Sequence, residues 1–144
     1  MNTISNSENN NCKGNNINQK IDPTIIANNF VNYYYQSIDT NPNNLINGKG
    51  QFIYKEKSEY CIQGLMLKGQ TDIFNRLVEL NKRGSKHKIN SIDVITSGSR
   101  RLNILVCGQI QLDGFLYNFT EYFHLANGKS SDDWWIQSSI IRTI

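Results

Sequence analysis

No apolar run in these 144 residues approaches the length of a membrane span, and the first eleven residues hold no hydrophobic segment of the signal-peptide kind. A soluble, intracellular protein is the expectation. Cysteine is scarce and odd in number: Cys12, Cys61 and Cys107 form no Cys-x-x-Cys pair. That points to a reducing compartment and argues against a zinc site. An excess of one charge is also missing. Fifteen Lys and Arg against twelve Asp and Glu leave a formal +3, too weak alone to imply nucleic acid or a membrane surface. No internal repeat is visible, and nothing calls for a metal or a cofactor.

What is present falls into two parts. Residues 1–21 are dominated by Asn and Ser with almost nothing to bury, and read as a disordered tail. Residues 22–144 read as one domain, large enough to bury a core without a disulfide or metal staple. Asp22-Pro23 opens a helix, with Asp as the cap and Pro in the first turn. Ile26, Phe30, Tyr33, Tyr34 and Ile38 continue it at helical spacing to about Asp39. Asn41 to Asn44 is a turn leading into a short second helix through Leu45-Ile46. Phe52-Ile53-Tyr54 reads as a short strand, Lys55 to Glu59 as polar, and Tyr60-Cys61-Ile62 as a strand pairing back in a hairpin. A third helix follows Gly69-Gln70-Thr71, with Thr71 as its cap and Ile73, Phe74, Leu77, Val78 and Leu80 as its apolar face. Lys82 to Lys88 reads as a basic loop containing His87. Ile89 to Thr96 is a strand, with Ile92 and Val94 on one side and Ile89 and Ile95 on the other.

The most regular pattern begins at Arg101. Leu102, Ile104, Val106, Ile110 and Leu112 fall on every second residue, Asp113-Gly114 gives a hairpin turn, and Tyr117, Phe119, Phe123 and Leu125 alternate again. Asn127-Gly128 turns into a last strand from Trp134 to Ile144. Helices mainly first and strands mainly last predict an α+β fold, a curved antiparallel sheet packed on one long and two shorter helices, with a pocket at the mouth of the cone. The face away from the helices then shows Leu105, Cys107, Gln109, Tyr122, Ile136, Ile140 and Arg142. Apolar, amide and single-charge residues mixed on an open sheet read as a surface for a protein partner.

Catalytic and nucleic-acid chemistry are less well served. Tyr33 to Tyr35, Asp93 and His124 are acid–base candidates by residue type alone, and no catalytic residue is assigned. His124 alternates away from Phe123 and Leu125 and is expected to face outward. The basic clusters Lys82 to Lys88 and Arg100-Arg101 lie at opposite ends of a strand of some eight residues, about 26 Å apart at about 3.3 Å per residue. They do not make one nucleic-acid patch.

Phe30-Val31-Asn32-Tyr33-Tyr34-Tyr35 with Ile38-Asp39 resembles the first-helix motif of the nuclear transport factor 2 family. Gly69-Gln70-Thr71-Asp72-Ile73 resembles the Gly-Gln that opens its third helix. Gly108-Gln109-Ile110, Phe119-x-x-x-Phe123 and Ile140-Ile141-Arg142 are similar to its closing strands. The resemblance spans 22–144 and implies a nucleocytoplasmic transport adaptor without enzyme activity, found in nucleus and cytoplasm and at the nuclear pore. Two branches fit. The homodimeric carrier of Ran-GDP uses an acidic cluster in the turn near residue 113, and of that site only Tyr54 and Asp113 stand as remnants here. The NXT type, the small subunit of the messenger-RNA export receptor heterodimer, resembles Leu112-Asp113-Gly114, Val106-Cys107-Gly108 and Trp134-x-Ile136-x-Ser138-x-x-x-Arg142. The NXT-type heterodimer is the favoured implication, with a second copy or an export receptor on the sheet face and pore proteins as further partners.

Overall fold

The computed structural model describes residues 22–128 and 133–144. The expected N-terminal tail lies outside the described residues. The first element, α1 (Pro23–Thr40), begins where its sequence predicts: Asp22 accepts from the Thr24 amide at 2.9 Å, and Pro23 occupies the first turn. A single turn of 3₁₀ helix, Pro42–Leu45, follows. Six strands and a second helix complete the domain: β1 (Tyr54–Ile62), β2 (Leu65–Lys68), α2 (Gln70–Lys82), β3 (Lys86–Thr96), β4 (Arg101–Leu112), β5 (Phe115–Asn127) and β6 (Trp134–Thr143). One sheet holds all six strands in the order β2-β1-β6-β5-β4-β3. Both helices cover its inner face.

The β4–β5 hairpin is the longest uninterrupted ladder of that plan. Twelve consecutive residue pairs join it, from Arg101 opposite Ala126 to Leu112 opposite Phe115. Asp113 and Gly114 both take positive φ, 52° and 81°, as a two-residue turn that follows the sheet's twist requires. Leu102, Ile104, Val106, Ile110 and Leu112 are all buried, with Phe119, Phe123 and Leu125 beside them. Phe30 and Tyr34 of α1 lie edge-on to Phe123 at centroid distances of 5.2 and 5.1 Å.

Several local expectations change. The 52–62 region is not a hairpin of its own. β1 is one strand that pairs antiparallel with β2 across a Gln63-Gly64 turn and parallel with β6 on its other side. The sheet is therefore mixed and not wholly antiparallel. β1 advances five residues, Tyr54 to Glu59, where β6 advances two, Ile136 to Ser138. Ser58 holds this bulge: its hydroxyl accepts from the Lys55 amide at 2.8 Å and donates to the Ile136 carbonyl at 2.6 Å. Thr71 does not cap α2, which starts two residues earlier than that cap would place it, with Gly69 at the cap position and no side-chain cap bond. Ile73, Leu77 and Leu80 are its buried residues, with Phe74 half-buried.

The basic stretch is not a loop either. Lys82 ends α2, Lys86 begins β3, and three residues connect them. His87 is drawn inward by Asp39 at the end of α1. That carboxylate accepts from the Ser85 hydroxyl at 2.8 Å and from the His87 amide at 2.7 Å, and it bonds the His87 Nδ1 at 2.7 Å. The ring stacks on Tyr35 at 4.4 Å. A register shift between Ile89 and Ser91 then puts Ile89 on the core side with Ile92 and Val94, leaving Ile95 on the other. Gly108 faces this bulge. A Cβ there would stand 2.2 Å from the Lys88 carbonyl oxygen, so only glycine fits without a shift of backbone.

Candidate functional site

The outer face of the sheet follows from strand register. Met66 lies opposite Cys61, Cys61 opposite Ile140, Ile140 opposite Tyr122, Tyr122 opposite Leu105, and Leu105 opposite Asp93. Directly paired residues point to the same side, so these six form one row across all six strands. Three of them expose large apolar side chains: Met66 at 53%, Ile140 at 54% and Leu105 at 41%. The next row carries Arg142, Thr120, Cys107 and Ser91, with Arg142 exposed and Cys107 half-buried. On the far side of the apolar row, Asn103 accepts from the Tyr122 hydroxyl at 2.7 Å and bonds the His124 Nδ1 at 2.6 Å. His124 faces outward as its alternation predicts. Partial burial, and then the charge of Arg101, push its imidazole below the ordinary value.

The structure thus gathers Leu105, Cys107, Gln109, Tyr122, Ile140 and Arg142 on one face. Gln109 sits two residues beyond Cys107, with its side-chain amide 3.4 Å from the Asn118 oxygen. Ile136 does not join them. It is fully buried on the helix side, because Leu125 pairs with Ile136 and His124 with Ser138, leaving Gln137 as an extra residue that reverses the alternation. Tyr54 is likewise fully buried, with its hydroxyl 2.6 Å from that of Tyr34, so it presents nothing to a partner. Asp113 is exposed at the β4–β5 turn, but its carboxylate already takes the Arg83 Nε at 2.8 Å.

The inner side of the sheet holds a site that the sequence pattern passes over. Glu121 falls between Phe119 and Phe123 at every-second spacing, a carboxyl on the apolar face, and it is 1% exposed. That placement is the signal by which it could have been found. Its two oxygens accept from the Tyr35 hydroxyl at 2.7 Å and the Ser139 hydroxyl at 2.5 Å. Burial raises its pKa to about 7, against the two hydrogen bonds, which favour the anion. Around it, burial drives the phenols of Tyr34, Tyr35, Tyr54 and Tyr60 above their usual range. An acid near neutrality among tyrosines is a catalytic kind of arrangement. Here, however, Glu121 is bonded to neighbouring hydroxyls, and a cavity of about 440 Å³ at the end of the sheet is not lined by it. Asp93 and His124 lie on the opposite face from Tyr34 and Tyr35, and Tyr33 points out to the Asn44 carbonyl. The acid–base candidates never converge. Among the described residues no group of His, Cys, Asp and Glu could hold a metal ion, and no helix is long and apolar enough to cross a membrane.

Residues 26–143 match the nuclear transport factor 2 (NTF2) domain. The chain belongs to the NTF2 domain family. Nuclear transport factor 2B of Arabidopsis thaliana is 30% identical over 109 residues, covering 74% of this chain and 82% of that protein. The NTF2 structure from Cryptosporidium parvum shares the fold at a TM-score of 0.74, with 24% identity over 87% of this chain and 97% of that one. A chain from the Mex67:Mtr2 assembly with bound Sac3N peptide also shares it, at a TM-score of 0.65 and 15% identity, over 85% of this chain and 99% of that one. Within this NTF2 domain, the family-like Gly108 is the residue that lets β3 approach β4. The family-like Phe30, Tyr34, Phe119 and Phe123 are core and not site.

Proposed function

We propose that this chain is a protein-binding adaptor of nucleocytoplasmic transport, and that it assembles with its partner through the outer face of the sheet. The observation that carries this reading is the row of Met66, Ile140 and Leu105, exposed across the width of the sheet with Arg142 beside it. Apolar residues spaced across the sheet, with charges at their margin in Arg142 and Asp93, are what a buried interface core and its polar rim require. The relatives bearing the name nuclear transport factor 2 support the transport role. The finer reading is the NXT-type subunit of a messenger-RNA export receptor, working at the nuclear pore between nucleus and cytoplasm. Asp113 supports it, because the turn that would have to offer an acid cluster to Ran offers one acid, already paired with Arg83. A second reading, a homodimer carrying Ran-GDP, is favoured by the name those relatives carry.

Two experiments separate these. Ile140→Glu places an unpaired charge in the middle of the proposed interface and should cost several kcal/mol of association, of the order of 3. Circular dichroism should show an unchanged fold, and sedimentation or capture from extract should show loss of the partner. Undiminished assembly would move the interface elsewhere. Calorimetric titration with Ran-GDP at moderate salt should show weak binding or none, since charge complementarity governs partner choice. Tight binding would replace the NXT-type reading with the second one.

A further inference from the structure

The end of the β4–β5 hairpin projects past its neighbours. β6 stops at Thr143, opposite Phe119, so β5 from Phe115 to Asn118 meets no strand on that side. The Ile144 amide alone reaches across, to the Asn118 carbonyl at 2.8 Å. On the other side β3 supports the ribbon with its first residues, Lys86 opposite Gln111 and Lys88 opposite Gln109. This projecting end carries three consecutive large apolar side chains. Phe115 is 67% exposed and Leu116 64%, with Tyr117 exposed beside them. Successive residues of a strand point to opposite faces, so Phe115 and Tyr117 stand on one side of the ribbon and Leu116 on the other. A flat protein surface would cover one side of such a tip. A fluid medium that closes around it covers both.

Positive charge gathers at the same place. Lys86, Gln111 and Leu116 are directly paired across β3, β4 and β5, so the lysine and the leucine share the outer face. Lys88 lies two residues further along that face. Lys82 precedes Arg83 at the end of α2, and the Arg83 carbonyl accepts from the Asp113 amide of the turn at 2.8 Å. All three lysines are exposed and, among the described residues, none has a carboxylate partner. Asp113, the acid of the turn, is taken by the Arg83 Nε at 2.8 Å. The formal +3 of the whole chain thus conceals a local concentration of cations.

We propose that the β4–β5 hairpin tip docks on a bilayer rich in anionic lipid, with Phe115, Leu116 and Tyr117 entering the headgroup region and Lys82, Lys86 and Lys88 lying against its phosphates. Aromatic side chains are at home at that depth. Each lysine near an anionic surface strengthens binding about fivefold, so attachment depends on lipid charge and weakens with salt. Three short side chains make it shallow and reversible. The tip lies further along β5 than Tyr122 and the row that includes Ile140, so the proposal does not depend on the adaptor reading.

Sedimentation of the full chain with vesicles of phosphatidylcholine and phosphatidylserine at two to one, and of phosphatidylcholine alone, provides the test. At about 0.1 M salt the mixed vesicles should bind at least tenfold more tightly. Phe115→Ser with Leu116→Ser, checked for fold by circular dichroism, should weaken that binding at least tenfold. Lys86→Gln with Lys88→Gln should do the same and leave phosphatidylcholine binding unchanged. Ile140→Glu should leave vesicle binding intact, whatever it does to assembly. Brominated acyl chains should quench the fluorescence of Phe115→Trp more than that of the native chain, whose Trp134 and Trp135 lie at the opposite end of the sheet. Soluble polyglutamate asks whether an acidic protein meets the same surface. The proposal is overturned if phosphatidylserine adds nothing or if the double serine variant binds as the native chain does. It is overturned equally if bromine quenches both proteins alike, or if polyglutamate is bound more tightly than the mixed vesicles.

Discussion

Glu121→Gln should change how the stability of this domain depends on pH. In the folded protein the carboxyl is buried and its pKa is raised to about 7, whereas its ordinary value is 4.5. A raised folded pKa means that the folded state holds the proton more tightly than the unfolded one. The stabilisation is therefore fully present below pH 4.5 and is lost as pH rises through 7. At about 1.4 kcal/mol per pKa unit, the loss across that window is about 3 kcal/mol. Glutamine keeps the shape and the hydrogen-bonding capacity toward Tyr35 and Ser139 without the titration. At pH 5 the two proteins should differ by less than about 1 kcal/mol. At pH 8 the variant should be more stable by about 2–3 kcal/mol, which raises the melting temperature by roughly 6–15 °C in a domain of this size. Denaturant unfolding at half-unit pH steps, native and variant side by side, isolates the effect from His124. That group shifts the opposite way and destabilises as pH falls. A constant gap between the two proteins from pH 5 to pH 8 would refute the reasoning.

Gly108→Ala should cost about 2–4 kcal/mol in unfolding free energy, because the new methyl meets the Lys88 carbonyl at 2.2 Å and not a side chain that can move; chemical denaturation measures it. Ser58→Ala removes both bonds that pin the β1 bulge and leaves the Lys55 amide and Ile136 carbonyl to find new partners, so a loss of about 1–3 kcal/mol is expected, together with faster amide exchange at Lys55. Asp113→Asn should leave the fold in place while weakening its tie to Arg83, a largely exposed pair worth at most about 1 kcal/mol, as a double-mutant cycle would show. Asp93→Asn should leave turnover of steroid-like and small carbonyl substrates at the same background level as the native chain, since that carboxylate stands on the sheet face away from the buried tyrosines; whatever it changes should be partner binding, which a parallel capture assay reads.

Strict alternation carried most of the fold. From Leu102 to Leu112 no bulge intervenes, so period two assigns every side chain to its correct face, and Asp113-Gly114 turns where positive φ is needed twice. The same rule misplaced Ile89 and Ile136, because one extra residue in a strand inverts everything beyond it. Such an insertion leaves little mark in a single sequence. Near Ile89 the mark was indirect: Gly108, a glycine inside a strong strand, accommodates the bulge on its neighbour. The β1–β6 pairing had no local signature at all. Its partners are about eighty residues apart and are joined by no turn whose chemistry could be read. His87 was placed in a loop on the strength of its lysine neighbours, while the distant Asp39 decides its position. Glu121 went unremarked because surrounding aromatics read as core, although a carboxyl in phase with them is a departure from the apolar pattern.

The place of β6 in the sheet bears on how the chain comes to be folded. It is the last strand in sequence, yet it sits between β1 and β5. Until it arrives, β1 and β2 have no route to the β5-β4-β3 ladder, and two long unpaired edges face solvent. A nascent chain leaving the ribosome must hold both edges open until β6 emerges, since α1 and α2 cannot join the halves through backbone pairing. Closure joins residues far apart in sequence, a slow kind of step and one exposed to misassembly. A chain ended near residue 128 would keep most of the core side chains and still offer two sticky edges, so its fate should be aggregation and not a smaller domain.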